Sequence, residues 1–101
     1  MVVYNITLQL NRSIEQDWLQ WQKNEHAPEV LATGCFNEYK MFLLLGEESS
    51  ETVTYVVQYF APRIEDYKHY MNEYAPALRK KMIEKWGDKF IAFRTAMQVV
   101  H

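Results

Sequence analysis

The sequence predicts an α+β fold in which two helices cover one face of a four-stranded antiparallel sheet, in the order β-α-β-β-α-β. Three observations lead there. Residues 2–10, 35–45, 53–60 and 90–100 alternate, or run apolar, at strand length. Two longer segments between them repeat apolar residues at helical spacing. Prolines and glycines fall where those segments should start, stop or bend.

The first strand is "VVYNITLQL". Tyr4, Ile6, Leu8 and Leu10 face one way, and Asn5, Thr7 and Gln9 face the other. Ser13 then reads as a helix N-cap, with Gln16 three residues on completing a capping box. Ile14, Trp18, Trp21 and Glu25 form one helical stripe with Leu19 beside it. Pro28 biases Ala27 away from helix, so the first helix should end near His26. Pro28 can then open a short second turn, "PEVLAT", closed by Gly34.

"CFNEYKMFLLL" (35–45) is the second strand, "GEESSET" the turn and "VTYVVQYF" (53–60) the third strand, an antiparallel hairpin. Pro62 opens the second long helix, whose stripe is Ile64, Tyr67, Met71, Tyr74, Leu78 and Met82. Pro76 should kink or interrupt it, and Gly87 should end it. "FIAFRTAMQVV" (90–100) is the fourth strand, with Ile91, Phe93, Met97 and Val99 on one side. This is the ferredoxin-like arrangement. With no linker, repeat or low-complexity stretch, residues 1–101 are expected to form a single domain.

The expected helix-facing side of the sheet holds Tyr4, Ile6, Leu8, Tyr39, Met41, Leu43, Tyr55, Val57, Ile91, Phe93 and Met97. The other side then holds Asn5, Thr7, Gln9, Phe42, Leu44, Thr54, Val56, Gln58, Phe60, Phe90, Arg94 and Gln98, with Glu38 and Lys40. Such a mixed face of neutral polar groups and rings marks an interface, and a symmetric sheet-on-sheet homodimer would cover it.

Hydrophobic content of 49% and charge of 24% are ordinary for a globular domain, while 15% aromatic residues let a small chain build a core from few rings. The net charge of −2, and the confinement of the basic cluster "RKKMIEK" to a helix end, argue against nucleic acid and anionic membrane as partners. Cys35 is the lone cysteine, which excludes an internal disulfide and suits a cytoplasmic, reducing compartment. The N-terminus lacks the pattern of a secretory signal, and no apolar run is long enough to span a bilayer. "NIT" at 5–7 is read as an accidental glycosylation match inside a strand.

His26 is the leading candidate for chemistry, beside Glu25 and three residues before Glu29. A histidine near carboxylates can serve as general base or as a ligand. Adjacent helix positions point about 100° apart, however, so Glu25 and His26 do not share a target. The bland reading, a histidine complementing the C-terminal end of the helix dipole, is the expectation. Metal is not expected, because His69, His101 and Cys35 make no ligand spacing with His26. Cofactor-binding loops of the G-x-G-x-x-G, P-loop and G-x-S-x-G types are absent, and no cofactor is expected. Trp18 and Trp21 could wall an aromatic ligand pocket with Tyr55, Tyr67 and Tyr70, although a core stripe is the simpler reading. Arg94, mid-strand on the expected dimer face, must be paired if buried. Glu38, a backbone carbonyl or an anionic ligand inside the barrel could pair it.

"DWLQWQKNEHAPEVLATGCF", "VTYVVQYFA", "EDYKHYMNEYAPAL" and "GDKFIAFRTAMQVV", in this order and spacing, resemble a domain-of-unknown-function family of bacterial proteins of this length. The resemblance spans nearly the whole chain. It implies a member of the dimeric α+β barrel group, whose more remote relatives include cofactor-free monooxygenases, small isomerases and haem-dependent enzymes. Fold does not fix function. The expected function is therefore that of a small cytosolic homodimer that binds a small molecule or is structural. Its rivals are an isomerase or cofactor-free oxygenase using His26, and a protein-interaction module.

Overall fold

The computed structural model describes residues 1–101. Strands β1 (Val2–Asn11), β2 (Glu38–Leu43), β3 (Thr52–Ala61) and β4 (Phe90–Gln98) form one antiparallel sheet in the order β2-β3-β1-β4. Helical segments lie between β1 and β2 and between β3 and β4, as the ferredoxin-like reading requires. The core sits between the helices and the sheet, with Leu10, Trp18, Val30, Val53 and Val57 essentially inaccessible.

The first helical region departs from expectation at both proposed breaks. Asn11, not Ser13, is the cap: its Oδ1 accepts the Ser13 N–H at 2.9 Å and starts a 3-10 turn over Arg12–Ile14. β1 runs on to Asn11, which leaves Ser13 inside the turn. The chain then stays helical through α1 (Glu15–Trp21), a π-helical turn (Gln22–His26) and α2 (Ala27–Ala32). Pro28 ends nothing. The Ala27 N–H reaches back to the Gln22 carbonyl, and the widened turn carries the chain to Pro28 in the first turn of α2. Gly34, at φ 78°, closes the region as expected.

Cys35 and Phe36 are buried plugs ahead of β2 rather than its first residues. The second helical region starts at Ile64, two residues past Pro62. There Arg63 and Asp66 exchange backbone and side-chain bonds at the N-terminus. The expected interruption is present: α3 (Ile64–Glu73) stops, Tyr74 leaves helical geometry at φ −121°, and α4 (Ala75–Trp86) restarts with Pro76 in its first turn.

The largest correction concerns β4. Arg94 pairs with Ile6, Ala92 with Leu8 and Phe90 with Leu10, so Phe90, Ala92, Arg94 and Ala96 face the helices. Gln98, opposite Val2, belongs to that row as well. Ile91, Phe93 and Met97 face away, and Phe93 is 64% exposed. Alternation sets which residues share a face, but both rows of β4 carry apolar groups, so pattern alone could not choose the phase. The other three strands present the expected sides.

Candidate functional site

Between the helix layer and the sheet lies a cavity of ≈ 30 Å³. It has a mixed lining. Tyr4, Ile6 and Leu8 enter from β1, Val57 and Tyr59 from β3, and Arg94 from β4. Gln22 and His26 enter from the π-helical turn, Tyr70 from α3, and Leu78, Arg79 and Met82 from α4. No carboxylate is among them. At water size the space holds one or two solvent molecules, or one small polar group of a larger ligand.

The π turn is what delivers the two polar groups of the first helical region. Gln22 and His26 are one turn apart and follow Trp18 at steps of four. Gln22 is buried, and its Nε2 donates to the Tyr59 hydroxyl at 3.1 Å. His26 is partly buried and stacks on Trp21, with ring centres 4.5 Å apart and planes 19° apart. Burial holds its pKa down at about 4; Glu29 is the main opposing influence, and Arg94 and Lys81 each push the same way as burial by less. The imidazole is neutral at physiological pH. This replaces the expected role as a charged partner of a helix end: the helix does not end at His26, and the ring is uncharged.

The two guanidinium groups are unusual in lacking counter-ions. Arg79 donates through Nη2 to the Tyr4 hydroxyl at 3.0 Å and approaches the Met71 sulfur at 3.8 Å, while its buried Nε has no partner. The Arg94 side chain makes no hydrogen bond or ion pair within the chain. The four ion pairs of the protein all lie elsewhere: Arg12–Glu15, Arg63–Asp66, Lys80–Glu84 and Lys81–Glu29. Arg94 also cannot meet Glu38, because they lie on opposite edges of the sheet and opposite faces. Burial moves the Tyr59 and Tyr70 hydroxyls to higher pKa, so both remain protonated donors.

The remaining sequence candidates do not converge here. Trp18 is buried against Tyr55, with ring centres 5.4 Å apart, and neither lines the cavity. The Tyr55 hydroxyl donates to Glu15 Oε2 at 2.7 Å, a bond that lowers the Glu15 pKa and, after burial, helps push Tyr55 up to about 12. Trp21 supports His26 and meets Trp86 edge-on at 5.7 Å. Tyr67 tilts against Tyr4 at 5.7 Å, behind the cavity wall. Glu25 is exposed and points elsewhere, as the angular argument requires. Sequence reasoning thus placed His26, Arg94 and Tyr70 among the candidates but missed Arg79, Gln22, Tyr4 and Tyr59 as their cavity partners. The step-of-four series Trp18, Gln22, His26 was a usable signal for Gln22.

The family model for the domain of unknown function DUF4286 matches residues 1–100. The chain belongs to that family. No curated protein is detectably similar to this DUF4286 chain in sequence. Among solved structures, a MhuD variant holding two manganese protoporphyrin IX molecules per active site superposes with a TM-score of 0.70 at 16% identity, over 100% of this chain and 96% of that one. A dimeric ferredoxin-like protein from an uncultured marine organism gives 0.69 at 10% identity, over 99% and 96%. An ethyl tert-butyl ether (EthD) family protein from Bacillus halodurans gives 0.65 at 16%, over 98% and 100%. At such identities these likenesses show that the DUF4286 chain has the ferredoxin-like fold, and nothing of its chemistry.

Proposed function

We propose that this DUF4286 protein is a homodimeric, single-domain small-molecule-binding protein whose ligand enters the cavity between the helices and the sheet. The observation that carries the reading is the cavity wall itself. Arg94, Arg79, His26 and three tyrosines converge on a space with no carboxylate to balance the two cations. Convergent polar groups in an otherwise apolar recess are the usual form of a ligand site.

The dimer is supported by the open sheet face. Phe42, Val56, Thr7 and Phe93 form one row across the four strands, and Glu38, Phe60, Val3 and Met97 another. Ile91, Phe93 and Met97 make this face more apolar than the sequence reading expected, and a self-complementary contact would remove it from water. The marine ferredoxin-like neighbour is itself described as dimeric. The unpaired buried Cys35 accords with a reducing, cytoplasmic setting for a bacterial protein, and no helix is long and apolar enough to cross a membrane.

An enzyme of the isomerase or cofactor-free oxygenase type is the second reading, because His26 does line the cavity. Its pKa weighs against general-base work in the empty site. A base with a pKa of about 4 is nearly three units below neutrality, where proton abstraction is inefficient. The porphyrin of the MhuD structure does not fit either: drug-sized pockets run to roughly 300–1,000 Å³, far above the space present here.

Light scattering across micromolar concentrations tests the dimer. A thermal-shift screen of small metabolites, scored on the wild type and on Arg94→Gln, tests the site. Ligands that stabilise the wild type but not the variant support it, since a native-state ligand raises apparent stability. A wild type stabilised by no small molecule overturns it.

A further inference from the structure

We infer that the cavity ligand carries a carboxylate, held between the Arg79 and Arg94 guanidinium groups. The inference rests on the ligand-binding reading above and specifies it. A guanidinium withdrawn from water needs a counter-charge, because desolvation of an uncompensated ion is expensive. Arg79, with its buried Nε, and the half-buried Arg94 line one cavity, and none of its other walls is acidic. Glu29, the nearby carboxylate that acts on His26, is engaged by Lys81 Nζ at 2.8 Å. Its compensation is therefore already shared.

Hydrogen bonding points the same way. Arg79 spends Nη2 on the Tyr4 hydroxyl and keeps a buried, unpartnered Nε. Tyr59 accepts from Gln22 and Tyr4 accepts from Arg79, which leaves each phenol with its own proton to donate. The lining thus offers donors in excess. The acceptor most capable of using a planar guanidinium fork is a carboxylate, whose two oxygens match it bidentately. The cavity's water-scale volume fits a single carboxylate head and not a bulky anion.

The carboxylate could be a small free anion or the head of a larger organic acid whose tail leaves the cavity. Titration of the wild-type protein with sodium formate, propionate and benzoate separates these sources. Ionic strength is held constant with sodium chloride, and sodium phosphate and acetamide serve as controls. The readouts are thermal midpoint and titration calorimetry. Saturable stabilisation by formate alone identifies a free small anion. Stabilisation that strengthens from formate to propionate or benzoate identifies an acid with a tail. Either supports the inference if Arg94→Gln weakens binding by at least tenfold and Arg94→Lys falls between, since lysine keeps the charge and loses the fork. Arg79→Gln should do likewise. Should it fail to fold, Arg94→Gln, on a half-buried edge-strand position, decides alone. Equal response to acetamide and carboxylates, unaffected by Arg94→Gln, would overturn the carboxylate while leaving a cavity ligand standing. Equal or stronger binding of phosphate would overturn it in favour of oxyanions at large. No saturable response to any probe would overturn both the inference and the site.

Discussion

Acidification from pH 7.5 to 4 should destabilise this protein through His26 well before its carboxylates are involved. The folded-state pKa is about 4 against an ordinary value of 6.5, so between those limits the unfolded chain binds a proton that the folded chain refuses. The stability conferred by keeping the ring neutral is fully present above pH 6.5. It is lost progressively as pH falls towards 4. A difference of 2.5 units at 1.36 kcal/mol each gives about 3 kcal/mol, a large part of the 5–15 kcal/mol that roughly spans domain stabilities. The main cause is burial. The field of Arg94 and Lys81 adds to it, and Glu29 subtracts. The assay is urea unfolding at fixed protein concentration from pH 7.5 to 4, on the wild type and on His26→Gln. The variant loses the Trp21 stack, which is worth roughly 0.5–1.5 kcal/mol, so it should be the less stable protein at pH 7.5. Its curve should then fall less steeply, and the two should converge or cross by pH 4.5. Every other titrating group is common to both proteins and cancels in the difference. Parallel curves would refute the reasoning and place the imidazole in water.

Val56→Glu puts an unpaired carboxylate on the open sheet face between Phe42 and Thr7, at a cost of several kcal/mol per ion if a partner covers it. It should give a folded 12.1 kDa monomer by light scattering and circular dichroism. An unchanged oligomeric state, or an unfolded monomer, would count against this interface. Tyr55→Phe removes the hydroxyl that donates to Glu15 and should cost roughly 1.5–3 kcal/mol at pH 7, read by urea unfolding. That bond lowers the Glu15 pKa, so the difference from wild type should persist above pH 4.5 and fade as Glu15 protonates below it. Gly87→Ala should cost of order 1–3 kcal/mol, although no atom lies within 4 Å of the added Cβ. The backbone at φ 59°, ψ −127° is outside even the left-handed helical region, so Gly87→Asn should be no better.

Much of this fold was legible because its signals are local. The alternation of Tyr4, Ile6, Leu8 and Leu10 specified both the strand and its buried face, and Pro76 and Gly87 fell where a helix must restart and stop. The π turn was not legible. Proline's bias against a preceding helical residue is a steric tendency, and one wider turn suffices to absorb it, as the Ala27-to-Gln22 bond shows. That single difference moved His26 from a helix end to a cavity wall. Of the predicted site, His26, Arg94 and Tyr70 meet there, while Trp18, Tyr55 and Tyr67 are packing groups. Arg79 escaped notice because it opens the run of basic residues that reads as a helix end complementing the dipole. Its burial depends on Tyr4 and Met71, which lie far from that run in sequence or one helix away.

The inverted phase of β4 links the cavity to the open face. Phe90 apart, Ile91, Phe93 and Met97 are the larger apolar residues of that strand, and the rule that such residues point inward would send them under the helices. Pointing inward, they would occupy the space beside Ile6 and Leu8. The inward row is instead Phe90, Ala92, Arg94 and Ala96, in which two alanines flank the arginine. Small neighbours on the same face leave room around a long side chain, and the room around Arg94 is part of the cavity. The displaced apolar bulk becomes the outer surface, where it lies in register with Thr7 and Gln9 of β1 and, two strands on, with Val56 and Thr54. One choice of strand phase therefore does two things: it empties a volume on the helix side and builds a sticky sheet on the other. A chain that only needed a stable core would gain from the opposite phase, by some 25 cal/mol for each Å² of apolar surface removed from water. That it forgoes this gain in the monomer is the physical ground for expecting both a ligand in the cavity and a second copy against the sheet.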